Sequence, residues 1–354
     1  MLEGTSGPVS HILRASLTEV RRENRADGAF SDKTVGERQK LAWSPSIGFD
    51  SEAGELTVSG LVDWESEDYE RVGIASFFGD PNQTAGFDSW GVAGEARLVS
   101  GGLSLVASAR HDDNDGLFDD ATTWRAGAAY NFTSGTKLRA SAGTGVKNPT
   151  FTELFGYFPA SFIGNSDLKS EQSTSWEIGW DQACGPLDTS LTYFSAELED
   201  EIYTRFNPDF TSTADNRADK SDRDGVEAAF GWQIDPRWTL NGALSKVSSQ
   251  DNFGTDEIRV PEWTGSLALN GVFDQHRFGL AADFVGEQQD TDFGTFQPVS
   301  LDAYWLVSAS FEMPLTEQLA LTLRGENLAD EEVTDVFGFH GRGAGLFVGL
   351  KLRS

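Results

Sequence analysis

The chain has 354 residues, and 56 Asp and Glu against 27 Lys and Arg give it a formal charge of −29. Phosphate recognition needs clusters of Lys and Arg, so this balance excludes nucleic acid as a partner. Only 38% of residues are hydrophobic, and no run approaches the roughly 18 apolar residues of a spanning helix, so any membrane crossing must be made by strands. Cys184 stands alone, which excludes an intramolecular disulfide framework. Met1-Leu2-Glu3-Gly4-Thr5 has neither the basic start nor the apolar core of a secretory signal. An exported protein with this sequence is therefore expected to be either a mature form or a truncated reading frame.

Segments of period-two alternation recur along the whole chain. Leu56, Val58, Gly60, Val62 and Trp64 fall on one face of 55–65, while Glu55, Thr57, Ser59, Asp63 and Glu65 fall on the other. Trp124, Ala126, Ala128 and Tyr130 oppose Arg125 and Asn131, and Leu138, Ala140 and Ala142 oppose Lys137, Arg139 and Ser141. The same pattern returns in Phe278 to Phe284, in Leu319 to Leu323 and in Leu346 to Leu352. One face suits lipid and the other suits water. The spacing predicts about sixteen strands of roughly ten or more residues each. They are expected near 9–22, 36–49, 54–67, 86–99, 102–112, 121–132, 136–146, 172–183, 187–204, 215–233, 237–250, 261–272, 276–288, 300–312, 317–327 and 343–353.

Between these segments, short turns around Ser51, Gly101, Ser134-Gly135, Gly185-Pro186, Asp235-Pro236, Asp274 and Pro314 alternate with longer polar stretches. The longer ones lie around 23–35, 68–85, 113–120, 147–171, 205–214, 251–260, 289–299 and 328–342. Tight turns on one side and long loops on the other are the mark of outer-membrane barrels, and that parity puts both chain ends in the periplasm. A soluble all-β protein would also alternate, but nothing in it would force the long loops to one edge. The expected fold is all-β: a transmembrane antiparallel up-and-down β-barrel, with residues 1–354 as one domain. Trp43, Trp64, Trp124, Trp176 and Trp238 near strand ends suit interfacial girdles, or simple packing.

The stretch Gly143–Gly179 carries a family resemblance. Lys147-Asn148-Pro149-Thr150-Phe151-Thr152-Glu153-Leu154, then Gly164-Asn165-Ser166-Asp167-Leu168-Lys169-Ser170-Glu171, then Ser175-Trp176-Glu177-Ile178-Gly179 together resemble a signature of the TonB-dependent outer-membrane receptors. Arg324-Gly325-Glu326-Asn327-Leu328-Ala329-Asp330, with Gly341-Arg342-Gly343 and a last alternating strand, resembles the ending of the same family. The segment from Asp112 to Arg125 is similar to barrel segments of the vitamin B12 and related receptors. The resemblance implies a barrel of about 22 strands around an N-terminal plug. It also implies uptake of scarce, bulky compounds such as ferric siderophores, haem or cobalamin, driven through TonB. The chain departs from that pattern in lacking a plug-like segment, a TonB box and about six strands, so it is expected to be the C-terminal barrel portion of a receptor with the plug domain absent. Ser354 stands where such barrels commonly end in an aromatic.

No catalytic constellation is present: His11, His111, His276 and His340 are scattered, with no metalloprotease or Cys/His spacing, so the chain is not expected to be an enzyme. No cofactor is expected apart from calcium in an external loop. Asp112, Asp113, Asp115, Asp119 and Asp120 fall in one such loop, but their spacing fails the EF-hand pattern. A solvated acidic loop is one reading, and a looser calcium site on Asp112, Asp113 and Asp115 is the other. Phe151, Phe155, Tyr157 and Phe158 are candidates to contact a large, partly apolar ligand, or else to pack their loop onto the barrel rim.

The functional expectation is TonB-dependent transport of cobalamin or a ferric siderophore in the outer membrane of a Gram-negative bacterium, here as a plugless barrel. Its partners would be outer-membrane lipid, the ligand and, for the intact receptor, the TonB complex. The alternative is a passive porin-like diffusion channel of sixteen strands, an even number that allows closure.

Overall fold

The computed structural model describes all residues except 76, 78, 157–160, 251–253 and 353–354. Tyr157, Phe158 and Ser354 lie outside the described residues. The chain gathers into two compact units, Met1–Tyr130 with Ser141–Trp176 and Glu197–Ser221, and Asn131–Ala140 with Glu177–Ala196 and Asp222–Ser354.

The first unit begins with β1 (Leu2–Ser6), β2 (Val9–Ala26), β3 (Ala29–Ser51), β4 (Gly54–Gly73), β5 (Gln83–Ser100), β6 (Leu103–Asp113) and β7 (Ala121–Asn131). Each pairs antiparallel with the next. β8 (Thr136–Lys147), the one-turn helix α1 (Phe151–Phe155), β9 (Phe162–Ile163), β10 (Glu171–Cys184), β11 (Leu187–Glu199), β12 (Ile202–Phe206) and β13 (Ser212–Asn216) follow. β12, β13 and β9 make a small sheet apart from the long strands. In the second unit β14 (Ser221–Asp235), β15 (Trp238–Gln250), β16 (Trp263–Phe273) and β17 (His276–Val285) pair in succession. The chain then forms the separate hairpin β18 (Gln288–Asp292) and β19 (Gln297–Leu301), and β20 (Tyr304–Pro314), β21 (Leu319–Glu326) and β22 (Gly345–Leu352) complete the meander from β17.

Every one of the expected segments contains a strand of the main sheet, though β21 and β22 have only eight residues each. Four details differ. β2, β3 and β4 are 18, 23 and 20 residues long, so most of the stretch 23–35 is hairpin rather than loop. Asp27 and Gly28, at φ 50° and 80°, supply the left-handed pair of a two-residue turn whose twist suits the hairpin. The expected strand 187–204 breaks after Glu199, where Asp200 takes φ 55°, and 215–216 belongs to β13 rather than to β14. The expected loops 147–171 and 289–299 hold α1 and β9, and the β18–β19 hairpin. A fourth departure is β1, which pairs with the start of β2 and was not expected as a strand.

The long strands are two-faced. Leu17, Leu41, Trp43, Trp90 and Val92 are exposed on one face of the first unit, and Leu244, Leu267, Leu280, Trp305, Val348 and Leu350 on one face of the second. On the opposite face of the first unit, Asp63, Glu65 and Arg71 are buried. The usual arrangement of a soluble sheet is thus inverted, with apolar groups outward and ionic groups covered, as a lipid-facing surface requires. Apolar rows run straight across strands. Trp238, Gly271, Phe278, Phe311, Leu323 and Val348 lie opposite one another in register from β15 to β22. The Trp238 ring lies over Gly271, where a Cβ would collide with it, and stacks on Phe278 at 6.5 Å.

Candidate functional site

The covered face of the first unit carries an ionic ladder. Asp63, Glu65 and Glu67 alternate along β4, and the register places Lys40 opposite Glu65 and Arg38 opposite Glu67. Lys40 Nζ lies 3.0 Å from Glu65 and 3.5 Å from Asp63, and Arg38 Nε lies 3.3 Å from Glu67. On the other side, Asp63 sits opposite Gly91, which sits opposite Asp112. Arg110 lies two residues before Asp112 on the same face and spans β5 over Gly91. Its Nη1 donates to Asp63 at 2.8 Å, its Nη2 donates to Asp63 at 3.1 Å, and its Nε donates to Asp112 at 2.9 Å. A Cβ at position 91 would occupy the place of the guanidinium. The ladder thus depends on glycine in β5 as much as on its charges.

Above it, α1 and its neighbours form a braced cap. Thr150 Oγ1 accepts from the Glu153 N–H, and Glu153 Oε2 accepts from the Thr150 N–H at 2.7 Å, a reciprocal cap that starts the helix. Phe151 stacks on Tyr69 at 5.3 Å, lies 6.0 Å from Phe87 and 6.2 Å from Phe155, and Phe87 meets Phe118 edge-on at 5.1 Å. Leu154, Leu168 and Ala214 form a small core, packed by Leu117, Phe118, Phe155, Phe162 and Ile202. Of the candidate aromatics, Phe151 and Phe155 therefore come together and remain half-buried, each packed within this cap.

The motif residues are the braces of that cap. Asn165 takes Glu153 O through its own N–H at 2.9 Å and donates its amide to Ala214 O at 3.0 Å. Asn216 Oδ1 accepts from Lys169 N–H at 2.9 Å. Glu171 accepts from Lys147 Nζ and from the Ile202 N–H, both at 2.8 Å.

The acidic candidates are separated. Asp112, opposite Gly91, lies on the covered face and is held by Arg110, whereas Asp113, opposite Trp90, lies on the other face. Asp115 is exposed in the turn at φ 41°. Among the described residues no group of three His, Cys, Asp or Glu is close enough to hold a metal ion.

The second unit has a clamp that sequence reasoning missed. Asp290, fully buried on β18, accepts from Arg259 Nε at 3.0 Å, from the Thr291 N–H at 2.8 Å and from the Phe337 N–H at 2.7 Å. Burial alone would push this carboxyl up, but the three donors outweigh it and hold it below the usual carboxylate range. The connection after β21 is fixed by its own motif. Asn327 donates to Glu331 O and Arg342 O at 2.8 and 3.0 Å, and Asp330 accepts from the Ala344 N–H at 2.8 Å.

A family model described as TonB dependent receptor-like, beta-barrel, matches residues 7–328. The chain belongs to this TonB-dependent receptor β-barrel family. The family is one of receptors and transporters rather than enzymes, and its members are outer-membrane proteins of Gram-negative bacteria. A vitamin B12 transporter, BtuB, of Vibrio vulnificus is 30% identical over 299 residues, 83% of this chain and 45% of that protein. BtuB of Photobacterium profundum is 29% identical over 231 residues, 64% of this chain and 36% of that protein. Among solved structures, the siderophore receptor PirA of Acinetobacter baumannii matches with TM-score 0.81 at 14% identity, over 99% of this chain and 61% of that one. A variant of the ferric enterobactin receptor PfeA of Pseudomonas aeruginosa, in complex with enterobactin, matches with TM-score 0.81 at 15% identity, over 99% and 61%. The chain thus spans less than half the length of these curated receptor-family relatives and about three-fifths of the solved ones.

Proposed function

We propose that the chain forms the barrel of an outer-membrane receptor for a scarce, bulky ligand, either cobalamin or a ferric siderophore, imported with energy delivered by the TonB complex. The observation that carries this reading is the two-faced strand set, with lipid-suited residues exposed on one face and an ionic ladder covered on the other, topped by connections braced into rigid caps. Rigid caps fit ligand capture better than free diffusion, because a preformed surface loses little entropy on binding. Resemblance to cobalamin transporters along most of the chain supports the first ligand, and the fold shared with siderophore receptors is compatible with the second. In this reading the short turns and both chain ends face the periplasm and the braced connections face outward.

The test is reconstitution into lipid vesicles, followed by equilibrium binding of cyanocobalamin and of ferric siderophores and by planar-bilayer conductance. Saturable binding of one of these ligands supports the receptor. A steady, ligand-independent conductance with no binding would support a passive channel instead.

A further inference from the structure

Three successive long connections of the second unit, described over 254–262, 286–303 and 327–344, meet at one carboxylate. Asp290 comes from the second, Arg259 from the first and the Phe337 N–H from the third. The Arg259 N–H also donates to Gln289 O at 2.8 Å, and its guanidinium lies 5.9 Å from the Phe293 ring. A buried carboxylate with all its donors in place fixes the backbones that supply them, since each unmade bond would leave a charge without solvent. Close in sequence to this fixed point, large apolar side chains are exposed: Ile258 is 47% exposed, Phe293 55%, Phe337 43% and Phe339 73%. Each lies within two residues of a clamp residue or, for Phe293, three. Such groups cost free energy to expose to water, and several of them on connections braced to one another offer a contact surface.

The charge of these connections is one-sided. Over these described stretches the three connections hold 11 Asp and Glu against Arg259 and Arg342, while the unit's short turns, 236–237, 274–275 and 315–318, hold two against one. Arg259 is already committed to Asp290. An anionic ligand would therefore meet mainly carboxylates, with exposed Arg342 as the one other arginine of these connections, whereas an uncharged one would meet no such repulsion.

We propose, resting on the receptor reading above, that Asp290 locks these three connections into one ledge whose Phe293 and Phe337 contact a ligand of no net negative charge, so that an anionic chelate such as a ferric tris-catecholate is disfavoured. Asp290 and Arg259 are positioning residues in this scheme.

The experiment compares three probes on the reconstituted chain: cyanocobalamin, a neutral ferric tris-hydroxamate and a ferric tris-catecholate. One of the neutral probes is expected to bind at least about tenfold more tightly than the tris-catecholate, with the gap narrowing as salt screens the carboxylates. Phe293→Ala and Phe337→Ala should each weaken that neutral probe about tenfold. Asp290→Asn should do the same, with loss of amide-exchange protection at Phe337 and Arg259 together and unchanged heat-modifiable migration of the barrel. Tighter binding of the tris-catecholate at low salt overturns the inference, as does unchanged affinity in both phenylalanine variants. If no probe binds to the unmodified chain, the receptor reading fails and takes this inference with it.

Discussion

Arg110 shows how much one side chain can organise. It satisfies Asp63, which is only 3% exposed, and Asp112, which lies opposite Asp63 across β5. Replacing it by alanine leaves the Asp63 carboxylate with Lys40 alone at 3.5 Å and is expected to destabilise the folded chain by about 2–3 kcal/mol. Urea unfolding in detergent micelles measures this, and an unchanged midpoint would show that the ladder contributes nothing. Gly91→Ala should cost a similar amount by displacing the same guanidinium, and the pair of variants should be far from additive. Asp290 gives a pH prediction. Its folded-state pKa lies below the unfolded value of about 3.9, so its contribution is fully present above that value and is lost as pH falls through the lowered one. The protection factor of the Phe337 amide should therefore hold at pH 5 and fall only in acid below the ordinary carboxylate range. A fall already between pH 7 and 5 would contradict the clamp.

At the scale of the element, the strands were legible where one face meets lipid, because there the alternation is stark: β5 is expected over 86–99 and found over Gln83–Ser100. It failed where both faces are polar. Glu23, Asn24, Arg25, Asp32 and Lys33 carry no alternation, yet they pair across the upper β2–β3 hairpin. Roughly ten residues suffice to cross a bilayer, so strands of this length must project into water, where the pattern has no reason to persist. The loop substructure was invisible for another reason. α1 is a single turn, stabilised by its cap and by Tyr69, Phe87 and Phe118 from distant parts of the chain. Thr150→Ala should cost about 1 kcal/mol locally and raise amide exchange over 151–156, with the barrel's unfolding midpoint unmoved. A global loss of stability would mean that the cap is part of the barrel's own core. Gly271→Ala should act in the opposite way. It forces the Trp238 ring off its row and is expected to cost about 1–3 kcal/mol of global stability.

For the whole molecule, the family signatures in the sequence proved to be bracing residues: Asn165, Leu168 and Glu171 hold one cap, and Asn327 and Asp330 another connection. That explains why the family was readable while the candidate site was not. Signatures mark the scaffold, but the Asp63–Arg110 and Asp290–Phe337 pairs each bridge 47 residues and exist only once register and loop packing are known. If the exposed apolar face lies in lipid, the tryptophans on it report that directly. Of the ten tryptophans, eight are exposed on strands: Trp43, Trp90, Trp124, Trp176, Trp180, Trp232, Trp263 and Trp305. Their fluorescence in reconstituted vesicles should be strongly quenched by lipids brominated on the acyl chains and little affected by aqueous iodide. Efficient iodide quenching with no effect of brominated lipid would contradict the membrane barrel outright.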